Sequence, residues 1–221
     1  MEIVYIYSHL GGQEILIVRH PAIYSDLLDV VRQAGAPQRT KRSRERTMKG
    51  KMLYSPKDLN RTFKDRFHER SWTEIKDVFT IEIPNYPHTI PGAFKQCDFF
   101  KEGVLAEVQF GKYAFMFYDL AKFQYFFNRG MIRVGVEIVP CHFLHKQMST
   151  GVSYGEQLVY DLERLSNNFP SVPVMIVLVD MTLETDDYFL GKRREVRTVH
   201  AAVQQQLERS LLQAECATDP R

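Results

Sequence analysis

The stretch Asp98-Phe99-Phe100-Lys101-Glu102-Gly103-Val104-Leu105-Ala106-Glu107-Val108-Gln109-Phe110 decides how this chain reads. Asp98 heads a bend that closes at Gly103, and Val104 to Phe110 reads as a strand. Alternation along that strand puts Leu105, Glu107 and Gln109 on one face and Val104, Ala106, Val108 and Phe110 on the other. A carboxylate and an amide inside an otherwise apolar strand are costly to bury unpaired, which calls for a cation or a cleft beside them. Two carboxylates converging from Asp98 and Glu107 make a hard-oxygen site suited to Mg2+, which keeps several waters and accepts a substrate phosphate. That is the minimum apparatus for metal-assisted phosphodiester hydrolysis. The plainer alternative is structural: Asp98 caps the bend and Glu107 pairs with an arginine across the sheet.

Around this stretch, strands alternate with helices. Upstream, Ile3–Tyr7 and Glu14–Val18 flank His9-Leu10-Gly11-Gly12 and read as a hairpin, with His9 a turn residue. Pro21 starts a helix with Ile23, Leu27, Val30 or Val31, and Ala34 on one face, and Gly35 stops it. Ser55-Pro56-Lys57-Asp58 supplies an N-cap, a first-turn proline and an acid for a helix continuing through Leu59, Phe63 and Phe67. Four turn-favouring residues, Pro84, Pro87, Pro91 and Gly92, make the segment from Ile83 to Gly92 an irregular crossover.

Downstream, Ala114 to Phe127 reads as a helix too apolar to be exposed on any side, hence buried in the core or at an interface. Ile132–Val139 and Val172–Val179 are apolar runs of the kind found in a sheet covered on both faces, with a helix from Ser153 to Leu165 between them. A last helix over 195–215 carries Val196, Val199, Val203, Leu207 and Leu211 on one stripe. The sum is a single α/β domain over 1–221, a mixed central β-sheet flanked by helices.

Of 221 residues, 44% are hydrophobic and 25% charged, which excludes disordered and fibrous classes. Cys97, Cys141 and Cys216 are sparse and odd in number, against a disulfide framework and for a reducing, cytoplasmic setting. No uninterrupted apolar stretch is long enough to span a membrane. Cys141-His142 with His145 has no suitably spaced further ligand for zinc.

Asp98, eight intervening residues, then Glu107-Val108-Gln109-Phe110 resembles the active-site strand of the PD-(D/E)xK nuclease superfamily, in the variant with Gln in place of Lys. Glu107-Val108-Gln109-Phe110-Gly111-Lys112-Tyr113-Ala114-Phe115 is similar to the BglII/BstYI group of type II restriction endonucleases. So are Ile6-Tyr7-Ser8-His9-Leu10-Gly11-Gly12, Lys51-Met52-Leu53-Tyr54-Ser55-Pro56, Val134-Gly135-Val136-Glu137-Ile138-Val139-Pro140 and Met148-Ser149-Thr150-Gly151-Val152-Ser153-Tyr154, in the family order. The likeness covers most of the chain to about Val179, with 73–97 poorly matched and the last helix unsupported.

The resemblance implies a restriction-endonuclease-like core and a homodimeric, Mg2+-dependent enzyme that cuts both strands of a GATC-centred palindrome, leaving four-base 5′ overhangs. In the host it implies a cognate DNA methyltransferase. Asp98 would be a direct metal ligand and the Val108 carbonyl a second, while Glu107 would hold metal-bound and attacking water. Gln109 takes the lysine's place and can orient water but cannot accept its proton. A repair or structure-specific nuclease of the same superfamily and a catalytically inactive DNA-binding relative are the alternatives.

The net charge of +2 is an average over unlike segments. Between Arg39 and Lys51, Arg39, Lys41, Arg42, Arg44, Arg46, Lys49 and Lys51 face one acid, Glu45, while Asp180, Glu184, Asp186 and Asp187 form an acidic stretch. Beside a nuclease centre, Arg42, Arg44 and Arg46 are candidates to neutralise double-stranded DNA phosphates without reading sequence. Lys112, Ser149 and Thr150 fall where the family contacts bases. A lysine donates to guanine and hydroxyls tolerate either base, favouring purine-GATC-pyrimidine over AGATCT.

Overall fold

The computed structural model describes residues 1–35 and 38–181. In chain order the elements are β1 (Glu2–His9), α1 (Gly12–Arg19), α2 (Pro21–Gln33), β2 (Lys41–Arg42), β3 (Met52–Leu53), α3 (Pro56–Glu69), β4 (Thr73–Ile81) and β5 (Ile90–Lys101). There follow β6 (Val104–Val108), α4 (Tyr113–Asn128), β7 (Val134–Pro140), α5 (His142–His145), α6 (Gly155–Leu165) and β8 (Val174–Asp180). Six strands form one mixed sheet in the order β1-β8-β7-β6-β5-β4. Its centre, β6, β7 and β8, is parallel, and the outer strands run antiparallel to their neighbours.

The central strands are buried at every position, as their largely apolar runs require, Glu107 and Glu137 being buried acids among them. Helices cover both faces. On one side Phe99 of β5 stacks on Phe67 of α3 with ring centroids 4.2 Å apart, and Phe67 meets Trp72 edge-on at 5.2 Å. On the other lies α4, brought close because Gly135 of β7 leaves room for the Phe123 ring, which a Cβ there would strike. Ser55 caps α3 as its sequence asks, its hydroxyl accepting from the Asp58 N–H at 3.3 Å, and Leu59, Phe63 and Phe67 form the buried stripe.

The expected opening hairpin is not there. Glu14–Val18 lies in α1, and β1 pairs instead with β8, Ile6 opposite Val177. Gly11 takes a positive φ of 75° to turn the chain, while Gly12 seats α1 directly on the Val174 backbone, where any Cβ would collide. Only Gly12 and Leu16 of that helix are buried, so a short β-branched run follows its tertiary setting rather than its strand propensity.

The segment from Ile83 to Gly92 is also corrected. Its first part joins the β4–β5 hairpin, but Ile90, Pro91 and Gly92 belong to β5, at an exposed end where a missing ladder donor costs little. α4 is not enclosed on every side: Phe115 and Tyr118 are about half exposed on its outer surface. The helix expected over 195–215 lies outside the described residues. Among the described residues no helix is long and apolar enough to cross a membrane, and Cys97 and Cys141 are buried free thiols.

Candidate active site and nucleic-acid interface

Hairpin arithmetic brings the two acids together. Glu102 and Gly103, with φ of 49° and 80°, close a tight turn, after which Lys101 pairs with Val104, Phe100 with Leu105 and Phe99 with Ala106. Carrying the register one step further sets Asp98 opposite Glu107. The β4–β5 register shifts just here, between Ile75↔Cys97 and Thr73↔Phe100. Phe99 consequently packs toward α3 while Cys97, two residues away, interacts with Glu107, Lys122 and Asp119 on the α4 side. Asp98 sits at this irregularity, exposed and close enough to raise the proton affinity of Glu107.

Glu107 itself is buried, and its partner is neither solvent nor an arginine across the sheet. Lys122 of α4 reaches down to Glu107 Oε1 and also lies 2.8 Å from Asp119 Oδ1. Gln109, just beyond the end of β6, donates from Nε2 to Asp119 Oδ2 at 3.1 Å. Gly111 makes space for that amide, since a Cβ there would overlap Gln109 Oε1. On the neighbouring strand Glu137 stands directly beside Glu107 in the parallel register, fully buried.

The electrostatics follow from this crowding. Burial pushes the Glu107 carboxyl up to about 7, with Asp119 and Asp98 adding to the rise and Lys122 opposing it. Burial likewise raises Asp119, against the pull of Lys122 and the Gln109 amide. Although burial favours the neutral amine, Glu107 and Asp119 hold Lys122 charged. Neither oxygen of Glu137 has a hydrogen-bond donor among the described residues, and burial drives its carboxyl well above the usual range. The rise favours the protonated form, the state in which Glu137 can donate to Asp119.

A second region gathers beyond the C-terminal ends of β6 and β7. The basic segment is not a formless loop: β2 and β3 pair through Lys41↔Leu53 and Arg42↔Met52, and Gly50 N–H bonds to the Ser43 carbonyl at 2.9 Å. This ribbon docks on the 147–150 loop. Arg39 donates to Gln147 Oε1 at 2.5 Å, Lys41 to Ser149 Oγ, and the Thr150 N–H to Glu45 Oε2 at 3.2 Å. The Ser153 N–H bonds to the Gly111 carbonyl at 2.8 Å, linking these loops to the end of the β6 segment. Lys112, Thr150, Arg42, Arg44 and Arg46 are exposed, whereas Ser149 is buried.

The structure thus brings Asp98, Glu107 and Gln109 together, with Lys112, Ser149 and Thr150 in the adjoining loops. Sequence reasoning passed over Asp119, Lys122 and Glu137. Their signal was present: Asp119 and Lys122 are the only charged residues in α4, and Glu137 the only one in β7.

Matches to known proteins place this sheet and its carboxylate hairpin among the restriction endonucleases, which are DNA-cleaving hydrolases. The fold matches the crystal structure of restriction endonuclease BglII complexed with a DNA 16-mer, with a TM-score of 0.65 and 24% identity over 84% of this chain and 79% of that one. Free BglII matches with a TM-score of 0.60 and 21% identity over 84% and 82%. The model of the restriction endonuclease BglII/BglIII family matches residues 4–179, and the chain belongs to that family. No curated protein sequence matches significantly.

Proposed function

We propose that this restriction endonuclease uses Mg2+ to hydrolyse one phosphodiester in each strand of a GATC-centred palindrome, purine-GATC-pyrimidine, leaving four-base 5′ overhangs. The observation that carries the reading is exposed Asp98, one ladder step past Phe99↔Ala106 and close enough to Glu107 to raise its proton affinity, with Gln109 just beyond the strand. These donors fit a hard, strongly hydrated cation: all are oxygen, and one side of the pair is open to solvent and phosphate. Among the described residues no three His, Cys, Asp or Glu side chains form a ready-made cage, so an ion held by Asp98 and Glu107 would draw on the Val108 carbonyl, water and DNA phosphate for the rest. When bound, a divalent cation supplies the positive charge that acidifies the attacking water and offsets charge on the phosphate.

The protein's own groups then divide the remaining work. Glu107, aimed by Lys122, orients water. Gln109, tied to Asp119, fixes the strand end but takes no proton, which passes to solvent or to a neighbouring phosphate. Arg42, Arg44 and Arg46 hold the backbone, and Lys112, Thr150 and Ser149 read the outer base pairs. A palindrome needs two copies of this site, and the exposed Phe115 and Tyr118 of α4 support pairing of two chains. Digestion of unmethylated plasmid or phage DNA with Mg2+, followed by sequencing of the ends, tests all of this. Fixed cuts at purine-GATC-pyrimidine are expected. Cutting confined to AGATCT would refute the relaxed outer position, cutting only at flaps or branches would favour a structure-specific nuclease, and binding without cutting an inactive relative.

A further inference from the structure

The strand that bears Glu107 carries a neutral amide at Gln109, which can neither take a proton nor offset phosphate charge, so a fixed cation beside Glu107 has to come from another element. α4 brings one in. Within a helix otherwise built of aromatic, aliphatic and neutral polar residues, Asp119 and Lys122 stand three apart on the inward face, both largely buried. Lys122 Nζ touches Glu107 Oε1 and lies 2.8 Å from Asp119 Oδ1, and the other oxygen of Asp119 accepts from Gln109 at 3.1 Å. Buried ion pairs of this kind are often no more stabilising than apolar side chains of equal volume. One placed directly on the water-orienting carboxylate calls for a role other than stability.

We propose that Lys122 is a positioning residue of the cleavage reaction, supplying from α4 the fixed positive charge that the strand lacks at Gln109. Asp119 anchors the ammonium. The ammonium holds one oxygen of Glu107 and leaves the second to water and the divalent ion. Without Lys122 the cluster attracts a divalent ion more strongly but no longer presents Glu107 correctly. The inference rests on the endonuclease reading above.

The opposite signs of these two effects make the test. In the full-length Lys122→Met protein, Mn2+ measured by electron paramagnetic resonance should bind tighter, by about fivefold, because one repelling cation is gone. Single-turnover cleavage of a duplex oligonucleotide at saturating Mg2+ should fall roughly 100-fold, as when a charge-stabilising group is lost, with DNA affinity unchanged. Moving the charge back to the strand in Gln109→Lys/Lys122→Met should recover about tenfold of that loss. Cleavage by Lys122→Met within threefold of the parent overturns the proposal, as does a parallel loss of cleavage and Mn2+ affinity, the mark of a merely structural residue. If Lys122→Met does not fold, the double variant decides: cleavage within tenfold of the parent supports the proposal, and cleavage as poor as that of Asp98→Ala overturns it. If the parent itself never cuts DNA, the endonuclease reading fails, while tighter Mn2+ binding still reports the counter-ion role of Lys122.

Discussion

The proposed cleavage centre and the proposed DNA-reading loops adjoin each other but are built on opposite principles. In the centre, Glu107, Asp119 and Glu137 are buried between a sheet and a helix with Lys122 largely covered, and Lys122 is paired with Glu107 and Asp119. In the loops, Arg42, Arg44 and Arg46 point to solvent, and the one acid of the ribbon, Glu45, is spent on the Thr150 N–H. Buried charges act at short range and resist salt, whereas exposed ones act on a polyanion and are screened. On the proposed reading the difference gives rate to one region and affinity to the other, and it can be broken or sharpened by substitutions that should move only one of the two.

The largest effect belongs to Asp98→Ala. Cleavage should drop by at least about 10³-fold through loss of the metal-dependent terms, with specific binding retained in a gel-shift assay. Normal cleavage by the purified variant would remove Asp98 from the site. Next comes Arg42→Ala/Arg44→Ala/Arg46→Ala, which should lower the slope of log affinity against log salt by about 3 and weaken binding to all sequences alike. Its single-turnover rate at saturating protein should be unchanged; an unaltered slope would make the ribbon irrelevant to DNA.

Lys41→Met should release the Ser149 hydroxyl and shift discrimination at the outer base pair, by about 1 kcal/mol between alternative sites, with little change at the central GATC. Equal loss on every site would make Lys41 a phosphate contact instead. The smallest effect concerns stability. Burial raises the Glu137 carboxyl in the folded state, so the stabilising contribution of its protonated form is complete below the ordinary pKa of 4.5 and is lost as pH rises toward the elevated folded value. Glu137→Gln, permanently neutral, should therefore gain about 3 °C in Tm over the parent at pH 8 and much less at pH 5. A gain equal at both pH values would mean that Glu137 is not held protonated.

Much of this was legible in the chain. Ser55-Pro56-Lys57-Asp58 announced α3, and the runs at Ile132–Val139 and Val172–Val179 announced the central strands found at Val134–Pro140 and Val174–Asp180, because caps and double burial leave local marks. The opening segment misled because Gly11-Gly12 before a β-branched run satisfies hairpin rules locally. The true constraint, the approach of α1 to the Val174 backbone, joins residues some 160 apart in the chain. Asp98, Glu107 and Gln109 were visible because they lie on one hairpin. Lys122 and Glu137 meet Glu107 from a helix and an adjacent strand, and no spacing rule along one element reveals such a meeting. The buried charge in an apolar helix was the available clue.

The turn at Glu102–Gly103 has an evolutionary corollary. The eight residues between Asp98 and Glu107 are not free to vary as a linker would be: they are the two arms and the tip of one ladder, counted out by the register of Lys101 on Val104. A single inserted residue in either arm would turn one carboxylate away from the other and into the α3 side of the sheet. Only changes that preserve parity, or that are absorbed by the irregularity beside Cys97, leave the pair facing each other. Insertions and deletions in relatives of this chain should accordingly collect in the 82–89 loop and the 39–51 ribbon and leave 98–107 at constant length.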